Sequence, residues 1–157
     1  MRLGSRAMLL ATFCAGGIAI LFAHSAHWLL PLFLEGNDLN SDRVIVLATK
    51  LLWFAAGYQL LDGLGLSSVM CLRAAGDASV PATLTLVLSW GVFVPLAHSF
   101  TFPPKGGWVD FLPQFGWGAV GGWAALVIYM LLLASALSLR WYWLMVNGGT
   151  PRALTRI

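Results

Sequence analysis

An all-α integral membrane bundle of four transmembrane helices is the fold that this sequence predicts, and three observations predict it. Hydrophobic residues make up 59% of the 157 positions and charged residues only 10%, against about a quarter charged in an ordinary soluble domain. Mean hydropathy is +0.82. The apolar residues also fall into four runs of about 20 residues or more, the length a helix needs to cross about 30 Å of hydrocarbon. The runs lack the polar alternation of barrel strands and are too long for them, so they read as helices.

The spans are expected at about 7–34, 44–72, 81–102 and 116–139, forming one membrane domain. The first has no formal charge between Arg6 and Glu35. Its early arginines and the stretch Ala23-His24-Ser25-Ala26 also suit a cleaved signal. The apolar run, however, continues through Trp28 to Leu34, beyond a usual signal core. Glu35-Gly36-Asn37-Asp38 ends this span, and Ser41 or Asp42 can cap the next.

The second span holds two ionisable residues, Lys50 and Asp62. Gly76 suits a left-handed helix end, and Pro81 fits the first turn of the third span, where its missing N–H costs nothing. Pro95 inside that third span should kink it and free a carbonyl one turn back. Pro103 to Phe115 contains three prolines and two glycines and cannot be helical throughout. Gly57, Gly63 and Gly65, and the pair Gly118 and Gly122, are expected to admit close helix neighbours.

Four spans put both ends and the middle turn on one side of the bilayer. That side carries Arg2, Arg6, Arg73, Arg140, Arg152 and Arg156, against Arg43 and Lys105 opposite. Basic residues concentrate on cytoplasmic loops, so both termini are expected in the cytoplasm of a cell that carries the chain in its plasma (inner) membrane. Trp141 to Trp143 and, opposite, Trp108 and Trp117 suit the two interfaces. The net charge of +3 is spread rather than striped, which excludes a nucleic-acid surface. Cys14 and Cys71 are apolar fillers without a metal or redox pattern.

Asp62 is the most informative residue. It lies near mid-membrane, about 18 residues from the outer end of its span and about 10 from the inner. An unpaired carboxylate there costs several kcal/mol, so it should face protein or water. Tyr58, one turn earlier on the same face, can donate to the carboxylate or help ligate a cation. Gln59, Ser67 and Ser68 add polarity nearby, and the set reads as half of a site for a small hard cation, or as a structural acid satisfied by a neighbour. Lys50, about 18 Å from Asp62 along the axis, snorkels outward. His24 and His27 read as interfacial packing; an intramembrane enzyme built on them and Asp62 would lack a second acid or metal motif.

Tyr58-Gln59-Leu60-Leu61-Asp62-Gly63-Leu64, then Cys71-Leu72-Arg73-Ala74-Ala75-Gly76-Asp77 and Pro81, resembles the tenth helix and following turn of multidrug and toxic compound extrusion (MATE) transporters. Trp90, Val94-Pro95-Leu96 and the Gly-rich stretch Gly116 to Trp123 continue the likeness. Ala74 stands where the family more often has glycine. The resemblance implies that the spans are the last four of twelve helices, a partial C-terminal lobe. It also implies that Asp62 and Tyr58 belong to a cation site completed by acids on an earlier helix, and that the Arg73 turn is structural. The implied activity is antiport of amphipathic or cationic drugs against Na⁺ or H⁺, with no cofactor beyond that coupling ion and no enzymatic step. Four spans cannot form both moving bundles, so the chain alone is expected to be inactive and to need the remaining transporter helices as partners. A non-transporting membrane subunit and a fragment of a lipid flippase are the alternatives, though Lys50 is a poor basis for a phosphate-binding cavity.

Overall fold

The computed structural model describes residues 2–33, 41–104 and 112–147; side chains at 2, 3, 26, 27, 29–33 and 41–43 are not described. Glu35, Asp38, Lys105, Trp108, Asp110, Arg152 and Arg156 lie outside the described residues, as do the side chains of Arg2, His27, Ser41, Asp42 and Arg43.

The helices are α1 (Arg2–Phe33), α2 (Ser41–Ala74), α3 (Ser79–Leu88), a π-helical turn (Ser89–Phe93), α4 (Val94–Thr101) and α5 (Gly118–Val146). No strand occurs among the described residues. Four helical stretches are long and apolar enough to cross a membrane: Gly4–Ser25, Val44–Ala74, Ser79–Thr101 and Gly118–Val146. The expected spans are all present, and α1 runs unbroken through Ala23 to Ala26. The fourth extends to Val146: the apolar run resumes after Arg140, whose head group pairs with Asp77 in the turn between α2 and α3.

The third span is one rod with a defect. Val94 N–H bonds five residues back to Ser89 C=O, and Pro95 has no N–H to give. Trp90 C=O thereby loses its donors at both four and five residues onward. The disturbance expected at Pro95 thus takes the form of a π turn in the hydrogen-bond ladder.

α5 is the central helix. α1 packs on α2, while α2, α3 and α4 all pack on α5. Met8, Leu72, Met130, Leu133, Leu137 and Trp141 form the buried core, at the end of the bundle where Arg73 and Arg140 lie. Gly76 adopts φ 81° and closes α2, with Asp77 N–H bonded to Leu72 C=O at 2.9 Å. The turn is then fastened to α5 by Arg140, which donates to Asp77 at 2.9 Å and lies over the Trp143 ring at 5.0 Å. Trp141 Nε1 donates to Ser5 Oγ at 3.3 Å, tying α1 to the same end.

At the other end, the chain returning into α5 folds back on α4. The N–H groups of Phe115, Gly116 and Trp117 reach the carbonyls of Ser99, Phe102 and Phe100 at 2.8–3.0 Å, satisfying the last turn of that helix. Phe100, Phe115 and Trp117 cluster over this junction with centroids 5.0–5.9 Å apart.

Candidate functional site

Gly63 and Gly65 set how α2 sits. A Cβ at Gly63 would lie 2.7 Å from Ala15 Cβ on α1, and one at Gly65 would touch Ala134 on α5 at 3.7 Å. Small residues on both sides hold α2 between α1 and α5, and this fixes where the neighbouring Asp62 can point. Gly57 and Gly118 meet no such neighbour among the described residues; Gly118 begins α5 with φ 60°. Among the close contacts that spacing did not reveal is Gly121, which packs against the backbone of Phe100.

Asp62 and Tyr58 are both half-buried, and the Tyr58 phenol stands within electrostatic and hydrogen-bonding reach of the Asp62 carboxylate. Tyr58 also feels the Tyr129 hydroxyl of α5. Tyr129 Oη in turn receives a hydrogen bond from Ser89 Oγ at 3.1 Å, at the start of the π turn. Phe93, on the same turn, braces the Tyr129 ring at 5.5 Å. A polar cluster of Asp62, Tyr58, Tyr129 and Ser89 therefore joins three spans. Ser89 satisfies one lone pair of Tyr129 and leaves the phenolic proton available toward Tyr58. All four oxygen-bearing groups suit a proton or a small hard cation.

The other polar residues of α2 belong elsewhere. Ser67 Oγ donates to Gly63 C=O at 2.7 Å, satisfying itself on its own helix. Ser68 Oγ donates to Leu64 C=O at 2.7 Å and meets Ser138 Oγ at 3.2 Å, stitching α2 to α5. Gln59 faces a separate groove of about 350 Å³ between α1 and α2, lined by Ile18, Phe22, Leu52 and Ala56. Lys50 is exposed, as expected for a snorkelling lysine. The His24 ring stands edge-on to Trp53 at 6.0 Å, and no group of three metal-ligating side chains occurs among the described residues. Nothing but its isolation marks Tyr129 in the sequence: it is the one hydroxyl between Gly122 and Ser135.

The chain was compared with known proteins. No family model and no solved structure matches it. Among curated proteins it is similar to several named probable multidrug resistance protein NorM. The one from Burkholderia pseudomallei is 32% identical over 108 residues, 66% of this chain and 21% of the relative. That of Agrobacterium fabrum is 31% identical over 139 residues, 86% of this chain and 28% of the relative. That of Pseudomonas putida is 31% identical over 135 residues, 82% and 27% respectively. The chain thus spans about a fifth to a quarter of the length of the relatives it matches. With four helices long and apolar enough to cross a membrane and this sequence kinship over most of its length, the chain belongs to the same family as these NorM proteins, the MATE family.

Proposed function

We propose that this chain supplies part of the C-terminal lobe of a cation-coupled drug antiporter, contributing its last four helices, with Asp62 as a cation-binding group and Tyr58 beside it. The observation that carries the reading is the Asp62 carboxylate, set in an apolar span beside the Tyr58 hydroxyl, which in turn feels Tyr129, with no basic partner among the described residues. A carboxylate left without a counter-ion in a membrane is costly, and binding H⁺ or Na⁺ removes that cost. The occupied and empty states then differ in stability, which is how an ion gradient biases a conformational equilibrium. The NorM names support drugs as the cargo, and the amphipathic or cationic class follows from the family.

In this reading both termini and the Arg73 turn face the cytoplasm, by the balance of basic residues. The helices that complete the cation site and the moving bundles come from the remaining part of the transporter. Proteoliposomes holding this chain alone are expected to show no cation-driven efflux.

The test is a chimera in which this chain replaces the matching stretch of a NorM protein, with ethidium as the exported probe. Efflux is expected from the chimera and is expected to vanish with Asp62→Asn, while membrane insertion stays intact. Undiminished, cation-driven efflux from the Asp62→Asn chimera removes Asp62 from the mechanism.

A further inference from the structure

α2 and α3 are consecutive and antiparallel, yet each packs on α5 rather than on the other. Between them runs an open groove of about 360 Å³ whose walls include Val69, Arg73, Thr85, Leu86, Ser89 and Trp90. We infer that this groove is the route by which water and the exchanged cation reach Asp62 from the Arg73 end of the bundle, with Ser89 at its inner end and Tyr129 hydrogen-bonded to Ser89 behind it. The inference rests on the proposed role of Asp62.

Three observations carry it. The first is the stripe on α2. Arg73 and Val69 wall the groove, and Asp62 lies seven residues before Val69, two helical turns on and therefore on the same face. The groove points at the acid, about 10 Å further in.

The second is depth. The chain reverses at Gly76; Asp62 is fourteen residues before it and Ser89 thirteen after it. In two antiparallel helices with the same rise per residue these positions stand at about the same level. Ser89, the innermost hydroxyl of the groove wall, is thus level with the carboxylate, and its hydrogen bond to Tyr129 at 3.1 Å connects the wall to the cluster around Asp62.

The third is chemistry. Thr85 donates its own proton to Pro81 C=O at 2.8 Å, leaving its lone pairs for a passing water or cation, and Ser89 lies one turn deeper. Hydroxyls one turn apart on a groove wall offer water successive partners, as a buried water requires. By contrast, the groove between α1 and α2 offers only Gln59 among apolar side chains. At the level of Gly63, α1 faces α2 with Ala11, Thr12 and Ala15, so that side is closed by contact.

Cysteine accessibility in proteoliposomes tests this on the full chain, in a Cys14→Ser, Cys71→Ser background. The reagent is a membrane-impermeant, cationic methanethiosulfonate. Ala78→Cys, in the exposed turn, reports which side the Arg73 end faces. Ser89→Cys is expected to react from that side alone. Asp62→Cys should also react from that side, and adding Thr85→Phe to fill the groove should slow it at least tenfold. Val87→Phe, exposed but outside the groove, should leave the rate unchanged.

Three results would overturn the inference: Ser89→Cys reacting only from the opposite side, Ser89→Cys reacting only with a membrane-permeant maleimide, or equal Asp62→Cys rates with and without Thr85→Phe. The second would mean that lipid fills the groove. Because Asp62→Cys lacks the acid, these outcomes do not depend on whether Asp62 binds a cation. Failure of the route and failure of the cation site are therefore told apart.

Discussion

Toward α1, the second helix presents Gly63 to Ala15 so closely that a Cβ would stand 2.7 Å from its neighbour; toward α3 it presents Val69 and Arg73 to an open groove. The same helix is thus sealed toward α1 at the level of Gly63 and open toward α3 at Val69 and Arg73. The sealed face is made of small residues, where dispersion contacts between close backbones hold helices together without help from water. Arg73, Thr85 and Ser89 stand among apolar side chains along the open face. The difference teaches that, on the proposed route, membrane helices would need no polar interior to admit an ion. A missing contact between two neighbours that share a third is enough.

Breaking the sealed face should have the largest structural effect. Gly63→Leu drives a branched side chain into Ala15 and the backbone at Ala11 and Thr12, separating α1 from α2. Overpacking of this kind costs about 1–3 kcal/mol, and the nearby backbone puts this case at the upper end. A lowered midpoint for unfolding in detergent would show it. Gly65→Ala, at an ordinary 3.7 Å from Ala134, is expected to leave that midpoint nearly unchanged. Equal effects at the two glycines would contradict the account of the seam.

A smaller loss is expected from unfastening the turn that closes the groove end. Arg140 and Asp77 are only partly buried, so Arg140→Gln should cost about 1 kcal/mol or less. Asp77→Asn added to it should cost little more, because the pair is already broken. A smaller loss again is expected at Ser68. Its bond to Ser138 is a contact between helices inside the bundle, and such bonds average about 0.6 kcal/mol in membranes. Ser68→Ala is expected to lower stability by about that amount.

Much of the fold was legible because long apolar runs leave a chain few options. The helix ends at Gly76 and Pro81 followed from backbone chemistry that is local: a positive φ at one, a dispensable N–H at the other. Asp62 and Tyr58 were legible for the same reason, since i and i+4 share a face whatever the surroundings. Ser89 and Tyr129 were not. They lie forty residues apart, and only the packing of α3 on α5 brings their hydroxyls together. Pro95 announced a disturbance in the third span, but its form, a π turn from Ser89 to Phe93, depends on which carbonyls find other donors. Ser67 and Ser68 looked like companions of Asp62 by proximity in the sequence. Their hydroxyls are spent on the helix backbone and on Ser138 instead.

Site-resolved carbodiimide modification of the NorM chimera in proteoliposomes tests the cation site most directly, because the reagent attacks a protonated carboxyl in an apolar setting. The expected result is modification at Asp62 that falls away as Na⁺ is added or as pH is raised, with the ion that protects being the ion that couples. Modification of Asp62 that neither Na⁺ nor pH alters, or an Asp62 that never reacts while detergent-unfolded chain does, would contradict a carboxylate that exchanges cations.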